Sequence, residues 1–295
     1  PCTQELEEIY GSQTSQGAPQ VQALVSCLYD LLNGMIVDTR FNGCKSSERD
    51  AARDMIESFD TEKYGKPVFI MDRGYPSAEL IDTIIRAGHK FVMRCPTEFL
   101  RSMKLPKRDN VLSHKFAKLK EKVDLRVVKV SLPTGDTEYL VTNLFDSDLK
   151  EDDFSDLYRT RWGIETKYND IKNKLEIENF TGYTPDAILQ DFYATMFLAN
   201  LAGVLEFELH DEIEAAHNSP EKKYEYRMNR NRTISELKRT VVEMIATRSK
   251  AKRMKLFLEM QNRLRNAVVP VRPNRAAPRT KRHKTAKFSQ NIKRP

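Results

Sequence analysis

Apolar residues recur along this chain with two different periods, and the switches between them mark its elements. Residues 21 to 41, VQALVSCLYDLLNGMIVDTRF, form two β-rich stretches around Asn33-Gly34, a dipeptide that tolerates the positive φ angles of a tight hairpin. Ser46 or Ser47 then caps an amphipathic helix, SERDAARDMIESF. In the next stretch, KPVFIMDRGYPS, Val68, Phe69, Ile70 and Met71 form the continuous apolar run expected of a central strand buried on both faces. Asp72 ends that run, Gly74 lets the chain turn, and Ser77 caps a helix, AELIDTIIRAG, which Gly88 stops. The short strand KFVMRC follows at once. Strand, crossover helix and strand at these lengths predict an α/β fold, a sheet with covering helices.

From Arg101 to Lys122 the sequence turns basic and loses clear periodicity. LRVVKVSL and EYLVTNLF then flank Pro133-Thr134-Gly135-Asp136 as a hairpin, so this stretch reads as an inserted, mainly β subdomain. A long helical region is expected from about Asp153 to Leu175, an apolar helix from about Pro185 to Leu209, and two more helices between Ile234 and Arg265. His210 and His217 fall in what reads as an acidic loop.

The composition narrows the class. With 295 residues, 40% of them hydrophobic, the chain can bury one sizeable core and an added subdomain. Its net charge is +7, but nine of the 49 Lys and Arg and none of the 42 acids lie from Arg272 onward, which leaves the rest at −2. The basic excess is therefore a tail, suited either to a polyanion such as nucleic acid or simply to solvent. Cys2, Cys27, Cys44 and Cys95 contain no C-x-x-C pair and read as reduced packing thiols. No apolar run approaches the roughly 20 residues of a membrane span, and no export signal opens the chain, so a membrane partner is not expected.

The chemistry concentrates in Leu157 to Leu175, LYRTRWGIETKYNDIKNKL. Read as one helix, Tyr158, Arg161, Glu165 and Lys172 share a stripe about 21 Å long, beside an apolar stripe of Leu157, Ile164, Tyr168, Ile171 and Leu175. A carboxylate flanked by cations suits phosphodiester chemistry: the carboxylate holds a metal, and the cations hold phosphates. An ordinary solvated face with Arg161 and Glu165 as an i,i+4 pair fits the same spacing. Asp72, at the end of a buried strand, stands where open α/β sheets place ligands, although helix capping or pairing with Arg73 would also account for it. Trp162, the one tryptophan, reads as a packing residue or as a surface on which a nucleotide base stacks.

The spacing Tyr158-x2-Arg161-x3-Glu165-x6-Lys172 resembles the Y-(2)-R-(3)-E-(6)-K signature of DDE transposases of the IS-four class. FIMDRGYPSAEL is similar to that family's second-aspartate region, and YEYRMNRN, from Tyr224 to Asn231, to a stretch found downstream of the signature. The resemblance implies an RNase H-like core with Asp72 and Glu165 as catalytic metal ligands, Mg²⁺ as cofactor with Mn²⁺ able to substitute, and Tyr158, Arg161 and Lys172 as contacts to DNA phosphates. The implied partners are transposon-end and target duplex DNA, with a homodimer assembling on DNA, in the bacterial cytoplasm at the nucleoid. The implied organisation is core from 1 to 95, inserted basic and β-rich subdomain from 96 to 149, signature helices from 150 to 209, helical region from 210 to 269 and basic tail from 270 to 295.

The departure lies at the start. In relatives the first aspartate precedes a segment resembling PCTQELEEIYG, where this chain begins; Asp30 and Asp38 both come too late in the sequence to replace it. The expectation is a core without its first strand and first aspartate, and a chain inactive alone. A DNA-binding remnant without catalysis and an RNase H-like nuclease outside transposition are the competing readings. Arg161 and Lys172, as phosphate partners on a helix face, should be removable without loss of core volume.

Overall fold

The computed structural model describes residues 2–14, 19–100, 107–132, 135–219 and 221–272; the basic tail beyond Arg272 lies outside them. In chain order the elements are α1 (Gln4–Tyr10), β1 (Ser12–Thr14), β2 (Pro19–Val21), β3 (Ala23–Asp30), β4 (Met35–Gly43), α2 (Glu48–Glu57), α3 (Thr61–Tyr64), β5 (Val68–Met71), α4 (Ala78–Arg86) and β6 (Lys90–Cys95). There follow β7 (Asp109–His114), β8 (Val123–Ser131), β9 (Thr137–Thr142), α5 (Glu151–Arg159), α6 (Trp162–Asn173), α7 (Pro185–Glu208), α8 (His210–His217), β10 (Tyr226–Met228), α9 (Arg230–Ala246), α10 (Lys250–Arg265) and β11 (Val268–Pro270). The fold is mixed α/β and divides into two compact units, one formed by Leu24–Leu28 and Asp38–Glu165, the other by the remaining segments.

The first unit is built on a five-stranded mixed sheet in the order β5-β6-β9-β8-β7. Only β5 and β6 are parallel, with Val68 opposite Lys90, and α4 makes the crossover between them. Alternation sorts the side chains onto two faces. Phe69, Met71, Phe91, Met93, Leu125, Val127 and Val141 meet Ala52 and Ile56 of α2 and Leu80, Ile81 and Ile84 of α4 on one face. Ile70, Val92, Val128, Val130 and Leu140 meet Phe154 and Tyr158 of α5 on the other. The end of β5 is thereby held between two apolar layers, and Asp72, two residues beyond Ile70, emerges on the α5 side.

Three expectations change here. The Val68–Met71 run is an edge strand of the described sheet, not a central one; helices cover its faces, and a continuous apolar run reports covered faces without reporting how many strands flank it. The stretch expected as an inserted β subdomain supplies β7, β8 and β9, and β9 pairs with β6 from Val92↔Thr142 to Cys95↔Tyr139, so these strands continue the same sheet. The long helix expected to Leu175 is broken. Thr160 turns its hydroxyl back onto the Leu157 carbonyl at 2.6 Å, and i→i−3 bonds from Arg161, Gly163 and Ile164 tighten the backbone through the turn and the start of α6 at Trp162.

The second unit packs α7, α8, α9 and α10 around Leu205, Leu209, Ile213, Leu237, Met260 and Leu264. The segment of His210 and His217 is the helix α8, not a loop. At 24 residues, α7 is long and apolar enough to match a membrane span by length and composition, which the sequence pattern alone did not suggest; Phe192, Met196, Ala199 and Leu205 are buried within the protein. Near its middle, the Asn200 amide accepts from the Ile36 N–H at 2.7 Å and donates to the Ile36 carbonyl at 2.8 Å. Lys167 of α6 donates to the carbonyls of Gly34 and Ala199 at 3.1 and 2.7 Å. Arg230, at the start of α9, reaches Asp170 and Glu206 at 3.2 Å each.

Candidate active site

Asp72 follows the last residue of β5, where the chain leaves the sheet and turns, with the Tyr75 N–H bonded back to the Asp72 carbonyl. Its Oδ1 accepts from the Arg73 N–H at 2.7 Å and from the Tyr158 hydroxyl at 3.1 Å. Tyr158 is 6% exposed, and its ring belongs to the apolar layer beneath α5, so packing fixes the hydroxyl that reaches Asp72. Partial burial on its own would raise the Asp72 pKa. The Arg73 amide, the Arg161 charge, the Tyr158 hydrogen bond and the Arg94 charge outweigh it and hold the carboxyl below its ordinary value. Burial, followed by the nearby Asp72 charge, pushes the Tyr158 phenol upward, so Tyr158 stays a donor.

Arg161 falls in the tight turn between α5 and α6. One of its nitrogens, Nη1, lies 2.7 Å from Glu165 Oε1 and 3.8 Å from Asp72 Oδ2. The two carboxylate oxygens are therefore no more than about 6.5 Å apart, the sum of those two distances, although 93 residues separate them in sequence. The guanidinium carbon stands 5.6 Å from the Tyr158 ring centroid and 5.2 Å from that of Trp162. Arg161 is 9% exposed, which corrects the expectation that it could be removed without disturbing packing; its Nε is buried and makes no hydrogen bond among the described residues.

The donors suit a divalent cation of the Mg²⁺ type. Both carboxylates offer hard oxygens and their side chains are 45% and 44% exposed, so an entering cation would compete with Arg161 for the space between them. Asp30 and Asp38 are used elsewhere: Asp30 accepts from the N–H groups of Leu32 and Asn33 in the hairpin turn, and Asp38 binds Arg40 at 2.5 Å. Lys172 lies farther along α6 in the second unit and pairs with Glu178 at 3.5 Å. Tyr158, Arg161, Glu165 and Asp72 thus come together, while the partner of Lys172 among the described residues is Glu178.

Sequence reasoning missed Arg94 and Glu138. They pair at 3.1 Å, and the Arg94 charge acts on both Asp72 and Tyr158. A signal was present: Arg94 is the one charge among Phe91, Val92, Met93 and Cys95, and strand alternation places it on the Val92 face, towards α5.

The chain belongs to the transposase DDE domain family, of the IS4 type: the model described as "Transposase DDE domain" matches residues 8–201, a span containing Asp72, Tyr158, Arg161, Glu165 and Lys172. A curated relative is the Escherichia coli (strain K12) protein "Transposase InsG for insertion sequence element IS4", 26% identical over 218 residues. That alignment covers 68% of this chain and 48% of the relative, so the chain spans about half of the relative's length. Among solved structures, the piggyBac transposase synaptic complex with hairpin DNA aligns over 86% of this chain and 54% of its own, with 11% identity and a TM-score of 0.48.

Proposed function

We propose that the chain carries the catalytic core for DNA transposition, which hydrolyses a phosphodiester at a transposon end and then directs the freed 3′-OH to attack a target phosphodiester, joining the strands and releasing a target 3′-OH. The observation that supports this most is the meeting of Asp72 and Glu165 at one nitrogen of Arg161, within a chain of the DDE family. An RNase H-like reading of the sheet unit is favoured by the parallel β5–β6 pair, its α4 crossover and the carboxylate at the C-terminal end of β5.

In this reading Asp72 and Glu165 hold Mg²⁺, or Mn²⁺ in its place. Bound there, the metal would activate the attacking water or 3′-OH and stabilise the leaving oxygen. Tyr158 orients Asp72 through its hydroxyl, and Arg161 balances the two carboxylates and offers guanidinium donors to a phosphate. Lys172 adds a cation for the DNA backbone, and Trp162, 59% exposed beside Arg161, offers a stacking face. The partners are transposon-end and target duplex DNA, engaged by a homodimer at the bacterial nucleoid.

The test incubates end-sequence duplex and Mg²⁺ or Mn²⁺ with this chain and with its Asp72→Ala and Glu165→Ala variants. Metal-dependent cleavage, or metal-dependent tightening of end-sequence binding, that is lost in both variants is the expected result. Metal-dependent behaviour indifferent to both substitutions would overturn the assignment.

A further inference from the structure

Several arginines of the helical unit are neutralised: Arg230, Arg232, Arg239, Arg263 and Arg265 each pair with a carboxylate. The turn between α9 and α10 and the first part of α10 differ. Arg248, Lys250, Lys252, Arg253 and Lys255 put five cations into eight residues without an acid. All five are exposed, and none pairs with a carboxylate among the described residues.

Their placement works against the helix that carries them. Ser249 caps α10 and its first turn holds no acid, so Lys250, Lys252 and Arg253 crowd the positive end of the helix dipole, where cations are unfavourable. Lys250 with Arg253, and Lys252 with Lys255, are like-charged i,i+3 neighbours. By contrast α2, in the other unit, follows the stabilising pattern, with Glu48 and Asp50 in its first turn. No carboxylate among the described residues balances the α10 cluster, whereas a polyanion would reverse both penalties at once.

We propose that the α9–α10 turn and the first two turns of α10 bind the sugar-phosphate backbone of duplex DNA without reading its sequence, as a contact surface separate from the Asp72–Glu165 site. The proposal rests on the reading that this chain acts on DNA. A lipid surface fits less well: α10 commits Phe257, Met260 and Leu264 to the core and exposes only Met254 and Leu258 among its large apolar side chains, short of the broad apolar face that an interfacial helix inserts.

The test measures anisotropy of a fluorescein-labelled duplex of arbitrary sequence, titrated with the full chain across a KCl series. Wild type is compared with Lys250→Gln/Lys252→Gln/Arg253→Gln and with Lys250→Arg/Lys252→Arg. The glutamine variant should bind on the order of tenfold more weakly near 0.1 M salt, with the log–log salt slope shallower by about 0.9 for each phosphate no longer neutralised. Its Tm should not fall, because charges leave the unfavourable end of a helix, and the arginine variant should bind as wild type does. Wild-type binding with an unchanged glutamine variant would overturn this surface and leave the active-site reading standing. Absence of wild-type binding at every salt concentration would count against the DNA reading itself. If the glutamine variant loses binding to phosphatidylserine vesicles but not to DNA, the surface belongs to a membrane and the proposal fails.

Discussion

Tyr158 and Asp72 lie 86 residues apart and share a 3.1 Å hydrogen bond whose donor is anchored in a packed core and whose acceptor opens to solvent. The bond joins the end of a strand to the last turn of a helix, and it is a direct link between the sheet and the segment that leads to Glu165.

Tyr158→Phe keeps the ring and removes only the donor. It should lower stability by about 1 kcal/mol, the usual worth of one hydrogen bond, with the gain from a charged acceptor reduced by that acceptor's exposure. Urea denaturation should show a lower midpoint with an unchanged m-value. An unchanged midpoint would mean that the bond contributes nothing to the folded state.

Arg161→Gln leaves two carboxylates facing each other without their shared cation. With their oxygens no more than about 6.5 Å apart, the repulsion would be about 2.5 kcal/mol or more at an effective dielectric of about 20, and water screening of these half-exposed groups reduces it. The variant should melt below wild type in metal-free buffer and gain more Tm than wild type from millimolar Mn²⁺. Equal gains in the two proteins would argue that the carboxylates do not bind the ion together.

Glu236 is 4% exposed and pairs with Arg232, Arg239 and Arg263 at 3.0, 2.7 and 2.9 Å, which ties α9 to α10. Burial would raise its pKa, but the hydrogen bonds and charges of Arg239 and Arg263 bring it below the ordinary 4.5. A depressed carboxylate contributes stability that is present above its unfolded pKa and lost as pH falls through the folded one. Wild-type stability should therefore fall below about pH 4.5, and Glu236→Gln should flatten that acid limb. At neutral pH the variant should lose about 2 kcal/mol, less than for a fully buried pair because the arginines are partly solvated. Equal acid limbs in denaturation curves would remove Glu236 from this role.

Gly203 of α7 passes close to the hairpin turn, and a Cβ added there would sit 2.8 Å from the Gly34 carbonyl oxygen. Backbone cannot yield as a flexible side chain would, so Gly203→Ala should cost about 1–3 kcal/mol despite alanine's better helix propensity. A melting temperature equal to or above that of wild type would show that the hairpin moves aside.

What the sequence disclosed was largely local. The Asn33-Gly34 turn and the Ser47 and Ser77 caps each act within a few residues, and all three stand where the pattern placed them. The pairing of β9 with β6 joins residues some fifty positions apart, and apolar alternation carries no record of which strand lies beside which. The break at Thr160 escaped for another reason: the residues on either side keep helical periodicity, and one hydroxyl bond resets the turn. Motif spacing named Tyr158, Arg161 and Glu165 because signature positions are counted along the chain, and the strand end with the FIMDRGYPSAEL resemblance named Asp72. It could not foresee that Arg161 is buried between two rings, since burial depends on partners the spacing does not include.

The Asn200 amide bears on how the chain survives synthesis. A two-stranded hairpin such as β3–β4 presents backbone groups on its outer edges, and an uncapped edge recruits strands from other molecules. By occupying both the N–H and the C=O of Ile36, one side chain of α7 imitates a neighbouring strand and closes that position to a stranger. Asn200→Ala would reopen that position, and the change should show first in the soluble yield of the expressed protein.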